Sequence, residues 1–177
     1  MRSLGLLLPC LICLTLPVRA QEETSPDIQA ITFTKIFSYV KTLKGKSPGV
    51  IAIVDGGDGA GGARAIAEAF RREIDRSGLS RRFRVSQLPV DRLDPASTDV
   101  CYIGSVSGAR GVESFCLRNK VLTITSSPEV MKRGMVSILV GLSDNKLKIV
   151  VNMSRLRSEG HEISAELLDL PRVAIIR

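Results

Sequence analysis

The sequence predicts an α/β domain: a single, mostly parallel sheet flanked by helices, with a C-terminal antiparallel hairpin and a short terminal helix. Three observations predict it. Short continuous apolar runs at Val50–Val54, Val100–Gly104 and Val121–Thr125 read as strands buried on both faces. Between them stand segments whose apolar residues recur every three or four positions, the period of a helix. Two more apolar runs surround Ser143, Asp144 and Asn145, the composition of a hairpin turn. The 177 residues suit one domain with one core, and the chain has neither an internal repeat nor a low-complexity tract.

Taken in order, residues 21–27 form a polar lead and the domain occupies residues 28–177. Ala30, Phe33, Ile36, Phe37, Val40 and Leu43 make a helical stripe over Ile28–Leu43, ended by Gly45, Ser47 and Pro48. After the Val50–Val54 strand, a glycine-rich turn at Gly56–Gly62 leads into a helix over Ala63–Ser77, stopped by Gly78. Its inner face is Ala63, Ile66, Phe70 and Ile74, and Glu68 and Arg72 are spaced as an i,i+4 pair on the outer face. Phe83–Leu88 is the next strand, and Asp91–Asp99 is a polar loop around Pro95. The Val100–Gly104 strand precedes a weak helical stretch at Ala109–Leu117 and the Val121–Thr125 strand. Met135–Gly141 and Lys146–Asn152 form the hairpin, and Glu162–Leu170 is a short helix that Ser164 caps.

Residues 1–20 have the form of a secretory signal peptide. Arg2 precedes an apolar run from Leu4 to Leu16, and the small residues Val18 and Ala20 stand at the −3 and −1 positions, so cleavage is expected between Ala20 and Gln21. Pro9 before Cys10 and Ile12 before Cys13 do not supply the small residue that lipidation needs. Formal charge is +7, from 25 basic and 18 acidic residues; loss of Arg2 and Arg19 leaves 23 against 18, or +5. Such a balance allows attraction to nucleic acid, an anionic membrane or an acidic partner, without choosing among them. Aromatic residues are 4% of the chain with no Trp, which excludes an aromatic-rich groove, and one His excludes a histidine-cluster zinc site.

Four features carry candidate chemistry. Gly57-Asp58-Gly59-Ala60-Gly61-Gly62 fits G-x-G-x-x-G between a strand and a helix, where glycines let a backbone approach a pyrophosphate. The following strand ends in Gln87-Leu88-Pro89, with no acid to hold a ribose, and Asp55 and Asp58 oppose phosphate. A flexible turn is therefore the preferred reading, and an anion nest at Gly57, Gly59 and Gly62 is the alternative. Export makes a disulfide the expected state of Cys101 and Cys116, the mature chain's two cysteines, at one sheet edge of a β-α-β unit; two buried thiols or a redox pair are the alternatives. His161, after Gly160, reads as a surface residue. Arg71, Arg72, Arg76, Arg81, Arg82 and Arg84 read as a solvated face, since Phe70 and Phe83 nearby fit inner faces; contact with an acidic protein or an anionic membrane surface is the alternative. No G-x-S-x-G elbow stands between a strand and a helix, no paired-carboxylate signal is present, and the Asn152-Met153-Ser154 sequon falls at a strand end.

The last third carries a family pattern. Val100-Cys101-Tyr102-Ile103-Gly104, Val121-Leu122-Thr123-Ile124 and Arg133-Gly134-Met135-Val136 are followed by Ile149-Val150-Val151-Asn152-Met153-Ser154-Arg155-Leu156 and Ile163-Ser164-Ala165-Glu166-Leu167-Leu168-Asp169-Leu170. This resembles the YfiR-like periplasmic proteins, which have a cysteine-containing strand, an L-T-V strand, a G-G-M-I start, an I-N-L strand end and a final I-S-x-x-L-L-x-L helix. Arg133 stands where the family has the first of its paired glycines. Phe33–Leu43 is similar to the family's opening helix, and Val54 through Asp58 to its V-x-G-x-D turn. The resemblance implies a periplasmic, non-enzymatic regulator without a cofactor. It would bind the periplasmic region of an inner-membrane signalling protein, a diguanylate cyclase or sensor kinase, and hold cyclic-di-GMP synthesis low. Redox state and an outer-membrane partner would modulate it. A homodimer is compatible with this reading, nucleic acid is not a partner, and a small-ligand module using the glycine turn is the alternative.

Overall fold

The computed structural model describes residues 24–43, 48–54 and 60–177. The signal peptide with its Ala20–Gln21 cleavage point, and Gly57 and Gly59 of the glycine turn, lie outside them. Helix α1 (Pro26–Phe37) starts where the sequence supplies a cap: Ser25 accepts the Ile28 N–H and Pro26 occupies the first turn. It is shorter than the expected Ile28–Leu43 helix. A 3-10 turn, Lys41–Leu43, follows it, because Val40 leaves the helix to form a bridge with Ile163. Strand β1 (Gly49–Val54) leads to α2 (Ala60–Arg76), β2 (Phe83–Leu88) and a 3-10 turn at Val90–Arg92. Gly49 lies close against the Asp99 side chain, whose carboxylate would have to move to admit a Cβ there.

Strand β3 (Thr98–Ile103) is followed by α3 (Val106–Ala109) and α4 (Val112–Asn119), so the single weak helix of the sequence reading is broken at Arg110-Gly111, where Gly111 has φ +83°. Then come β4 (Leu122–Thr125), α5 (Pro128–Lys132), β5 (Ile138–Ser143), β6 (Lys146–Asn152), α6 (Met153–Ser158), α7 (Ala165–Leu168) and β7 (Val173–Ile176). α5, α6 and β7 are absent from the sequence reading, although Ser127 before Pro128 and Asn152 are cap signals: each accepts an N–H three residues on. The terminal helix is shorter than Glu162–Leu170, and the Ser164 side chain makes no cap bond.

Among the described residues the sheet has seven strands in the order β2-β1-β3-β4-β5-β6-β7. Neighbours are parallel except the β5–β6 hairpin. Asp144 and Asn145 close that hairpin with φ of 52° and 56°, both positive as in a type I′ turn. Alternation along the strands divides the core between two faces. Ile51, Ile53, Val100, Tyr102, Leu122 and Ile124 point to one face, covered by α1, α2 and α7, where Phe33, Phe37, Phe70 and Tyr102 form a ring cluster. Ala52, Val54, Cys101 and Ile103 point to the other, covered by α3, α4 and α5. The expected fold class is thus observed, helices on both faces and the antiparallel pair included.

Candidate functional site

Beneath α4 the second face changes character from apolar to ionic. Cys101 is the fourth residue of β3 and pairs across the sheet with Thr123 of β4. Cys116 lies on the buried side of α4 above them, and both cysteines are fully buried. The sulfurs are hydrogen-bonded free thiols, not the disulfide expected from export. The hydrogen bond to Cys116, together with burial, pushes the Cys101 thiol well above the usual cysteine range. Cys101 and Cys116 therefore meet in the middle of β3 and α4 rather than at one sheet edge.

Beside the thiols stands Glu159, fully buried against Thr123 of β4 and Ser137, the residue that leads into β5. All four of its acceptor positions are filled. Oε1 accepts from Thr123 Oγ1 and Arg155 Nε, each at 2.7 Å; Oε2 accepts from the Thr123 N–H at 3.0 Å and Ser137 Oγ at 2.6 Å. Burial pushes the Glu159 carboxyl above its ordinary value, while the bonds from Ser137, Thr123 and Arg155 pull against that shift. Arg155, also buried, donates from Nη1 to Glu113 Oε1 at 2.8 Å and from Nη2 to the Glu113 carbonyl at 3.3 Å. Arg155 is placed by the Asn152 cap of α6, and Glu113 lies one helical turn before Cys116 on α4. One guanidinium thus ties the thiol-bearing helix to the carboxylate that bonds Thr123 and Ser137. Spacing did not reveal this cluster, because its members come from β4, the residue before β5, α4, and α6 with its C-cap. The one local signal was the Arg155/Glu159 i,i+4 pair.

The remaining sequence candidates are dispersed. Gly62 lies in the first turn of α2, and a Cβ there would meet nothing within 4 Å. His161 is buried, not on the surface, because Gly160 at φ +75° turns the chain inward; its Nδ1 lies 2.6 Å from Thr42 Oγ1. The arginine-rich stretch is an outer face, as expected, but its pairs are not those of the spacing. Arg64 holds Glu68 at 2.9 Å, and Arg72 reaches across to Asp27 on α1 at 2.7 Å, so Glu68 and Arg72 do not bond each other. Arg82 lies over the Phe83 ring and donates to the Leu43 carbonyl. Asn152 of the sequon is buried, with its side chain engaged as a cap. Among the described residues no group of His, Cys, Asp or Glu could hold a metal ion, and no helix is long and apolar enough to cross a membrane.

A family model described as YfiR/HmsC-like matches residues 27–172. No protein of curated function matches the chain. Among solved structures, a conserved domain protein from Vibrio cholerae O1 biovar El Tor aligns with a TM-score of 0.60 at 15% identity, covering 88% of this chain and 62% of that one. The ligand-free, open structure of CD0873, a substrate binding protein with adhesive properties from Clostridium difficile, aligns with a TM-score of 0.56 at 13% identity, covering 81% and 59%. The chain thus spans about three fifths of either protein, and the likeness is one of fold.

Proposed function

The chain belongs to the YfiR/HmsC-like family, and on that premise we propose that it is an exported, non-enzymatic regulator. It binds the periplasmic region of an inner-membrane signalling protein, a diguanylate cyclase or a sensor kinase, and lowers that protein's output. The observation that carries the reading is the family match over residues 27–172. The interior supports it. Glu159 and Arg155, the buried charged side chains beside the thiols, are engaged in internal bonds and hold α4 in place. A repressor of this kind needs a surface whose affinity differs between two states of its partner, and α4 is an element whose position the thiols and the ion cluster jointly set.

In the oxidising compartment, thiol–disulfide exchange with an oxidised dithiol protein would join Cys101 to Cys116. The two thiols would lose their hydrogens, and the incoming disulfide would be reduced to two thiols. That closure would alter α4 from within. The test is capture by the immobilised mature protein from detergent-solubilised inner membranes, with cyclic-di-GMP measured in cells lacking the protein. Retention of one signalling protein, together with an altered cyclic-di-GMP level or kinase output in the deletion strain, is expected. Absence of both overturns the reading.

A second reading, a small-ligand module, rests on the place of the glycine turn between Val54 at the end of β1 and Ala60 at the start of the 17-residue α2. Saturable binding of phosphate or NAD that Gly59→Ala abolishes would favour it over the regulatory reading.

A further inference from the structure

The two edges of the sheet are built differently. Edge strand β2 carries Arg84, is preceded by Arg81 and Arg82, and is followed by Pro89, the charges and proline that discourage strand addition. Edge strand β7 is Val173-Ala174-Ile175-Ile176, with no charge and no proline within it. It pairs in parallel with β6, Ile149 facing Val173 through Asn152 facing Ile176. The Ile149 N–H donates to the Arg172 carbonyl at 2.9 Å. In a parallel ladder this turns the polar groups of Arg172, Ala174 and Ile176 toward β6 and those of Ile175 away from it. Ile175 presents its N–H and carbonyl along the open edge, and Ile175 and Ile176 are 46% and 43% exposed.

The surroundings say what would fit there. The helical layer on the second face ends at α5, leaving an open groove of about 930 Å³ between α5 and the outer face of β5–β7. Its floor includes Leu139, Val150, Ala174 and Ile176, and Lys132 and Lys148 stand on its lining with Asp144. Arg172 and Arg177 flank β7, and Arg157 and Arg177 line a smaller recess at its end. The surface is thus a bare backbone edge, an apolar strip beside it, and cations at both ends. A second copy is a poor match. Antiparallel pairing of β7 with itself about Ile175 would set Arg177 of one copy opposite Val173 and beside Arg172 of the other, crowding like charges at both ends.

We propose that the β7 edge receives an extended apolar segment with acidic ends from the periplasmic region of the signalling partner, added as an eighth strand. The proposal rests on the regulatory reading and names its docking surface. The test places a photo-crosslinking amino acid at Ile175 and, as a control, at Ser86 on β2, in cells exporting the full chain. The expected result is a crosslink from position 175 alone, mapped by mass spectrometry to an extended segment of a membrane signalling protein with acidic residues at its ends. A synthetic peptide of that segment should bind the mature protein, and Ile175→Pro and Ile175→Lys should each weaken it at least about ten-fold with unchanged circular dichroism. Proline there removes an outward N–H and leaves the β6 ladder whole, so the fold should persist. A crosslink to a second copy of this chain, equal crosslinking from Ser86, or a peptide that binds Ile175→Pro and Ile175→Lys as well as the wild type overturns the proposal. Capture of the signalling protein without a crosslink at 175 overturns the docking surface and leaves the regulatory reading standing. Failure of the wild type to capture any signalling protein overturns that reading first.

Discussion

Glu159 shows how much one buried residue can bear. Four donors converge on it, so Glu159→Gln, which turns an amide toward two of them, is expected to cost about 2–4 kcal/mol in urea unfolding. Arg155→Met would leave a buried carboxylate without its cation and is expected to cost about 3–5 kcal/mol at neutral pH. The pH dependence follows from the upward shift of Glu159. The native state holds this proton more tightly than the unfolded chain, whose glutamates titrate near 4.5. Its contribution is therefore complete below that value and declines as pH rises through the native one. The stability advantage of the wild type over Glu159→Gln should shrink with rising pH above 4.5, by at most about 1.4 kcal/mol per unit. A difference that is flat, or that grows with pH, would refute this account. At the neighbouring thiols, burial and mutual hydrogen bonding keep Cys101 protonated and inert, so the reduced protein should react with iodoacetamide only as it unfolds. Protein exported and purified without reductant should show no free thiol even in denaturant. Closure of that loop of about 15 residues is expected to add roughly 3 kcal/mol, and the double Cys→Ser variant should melt like either single one. Two titratable thiols in that preparation would exclude the bridge.

Whole elements depend on local chemistry that can be tested one turn at a time. The β5–β6 hairpin turns on Asp144 and Asn145, both left-handed. Asp144→Val should cost about 1–2 kcal/mol, because a branched side chain resists positive φ, whereas Asn145→Gly should be neutral or slightly stabilising. Equal loss from both substitutions, read as denaturation midpoints, would show that side-chain contacts rather than backbone conformation hold the turn. Helix α2 illustrates the limit of periodic reasoning. Its inner face, Ile66, Phe70 and Ile74, is buried as the pattern requires, yet Arg72 bonds Asp27 on α1 instead of Glu68 four residues away. The helix period says which side chains share a face, but whether another element offers a better partner is settled by packing. For the same reason α1 stops at Phe37 although its apolar stripe runs on to Leu43: Val40 is claimed by a bridge to Ile163, more than a hundred residues later.

For the whole molecule, the expected mature form begins at Gln21. Its intact mass should correspond to residues 21–177 with no lipid, and retention of Met1 or a lipid on Cys10 or Cys13 would refute cleavage at Ala20. The asymmetry of the sheet is also a property of the whole. Among the described residues, edge strand β2 carries a charge within it at Arg84, whereas β7 is apolar throughout and has its arginines only at its ends.

The sequence by itself determined the α/β class, the strands from β1 to β6 and the family. Continuous apolar runs, helical stripes and the turn pair Asp144-Asn145 are local signals, and a strand buried on both faces has few other ways to be written. It favoured a disulfide between Cys101 and Cys116 at one sheet edge, placed His161 on the surface, and missed α5, α6 and β7. Short elements bury too few residues to show a period. Whether a histidine turns inward depends on Gly160 and on Thr42, which is more than a hundred residues away in the chain. The Glu159–Arg155–Glu113 cluster was illegible for the same reason: apart from the Arg155–Glu159 pair, its bonds join residues 14 to 42 positions apart, and a charge pattern read along the chain does not say which charges leave water together. Only the tertiary structure decided that, because burial, not spacing, turns scattered polar residues into a network that must satisfy itself.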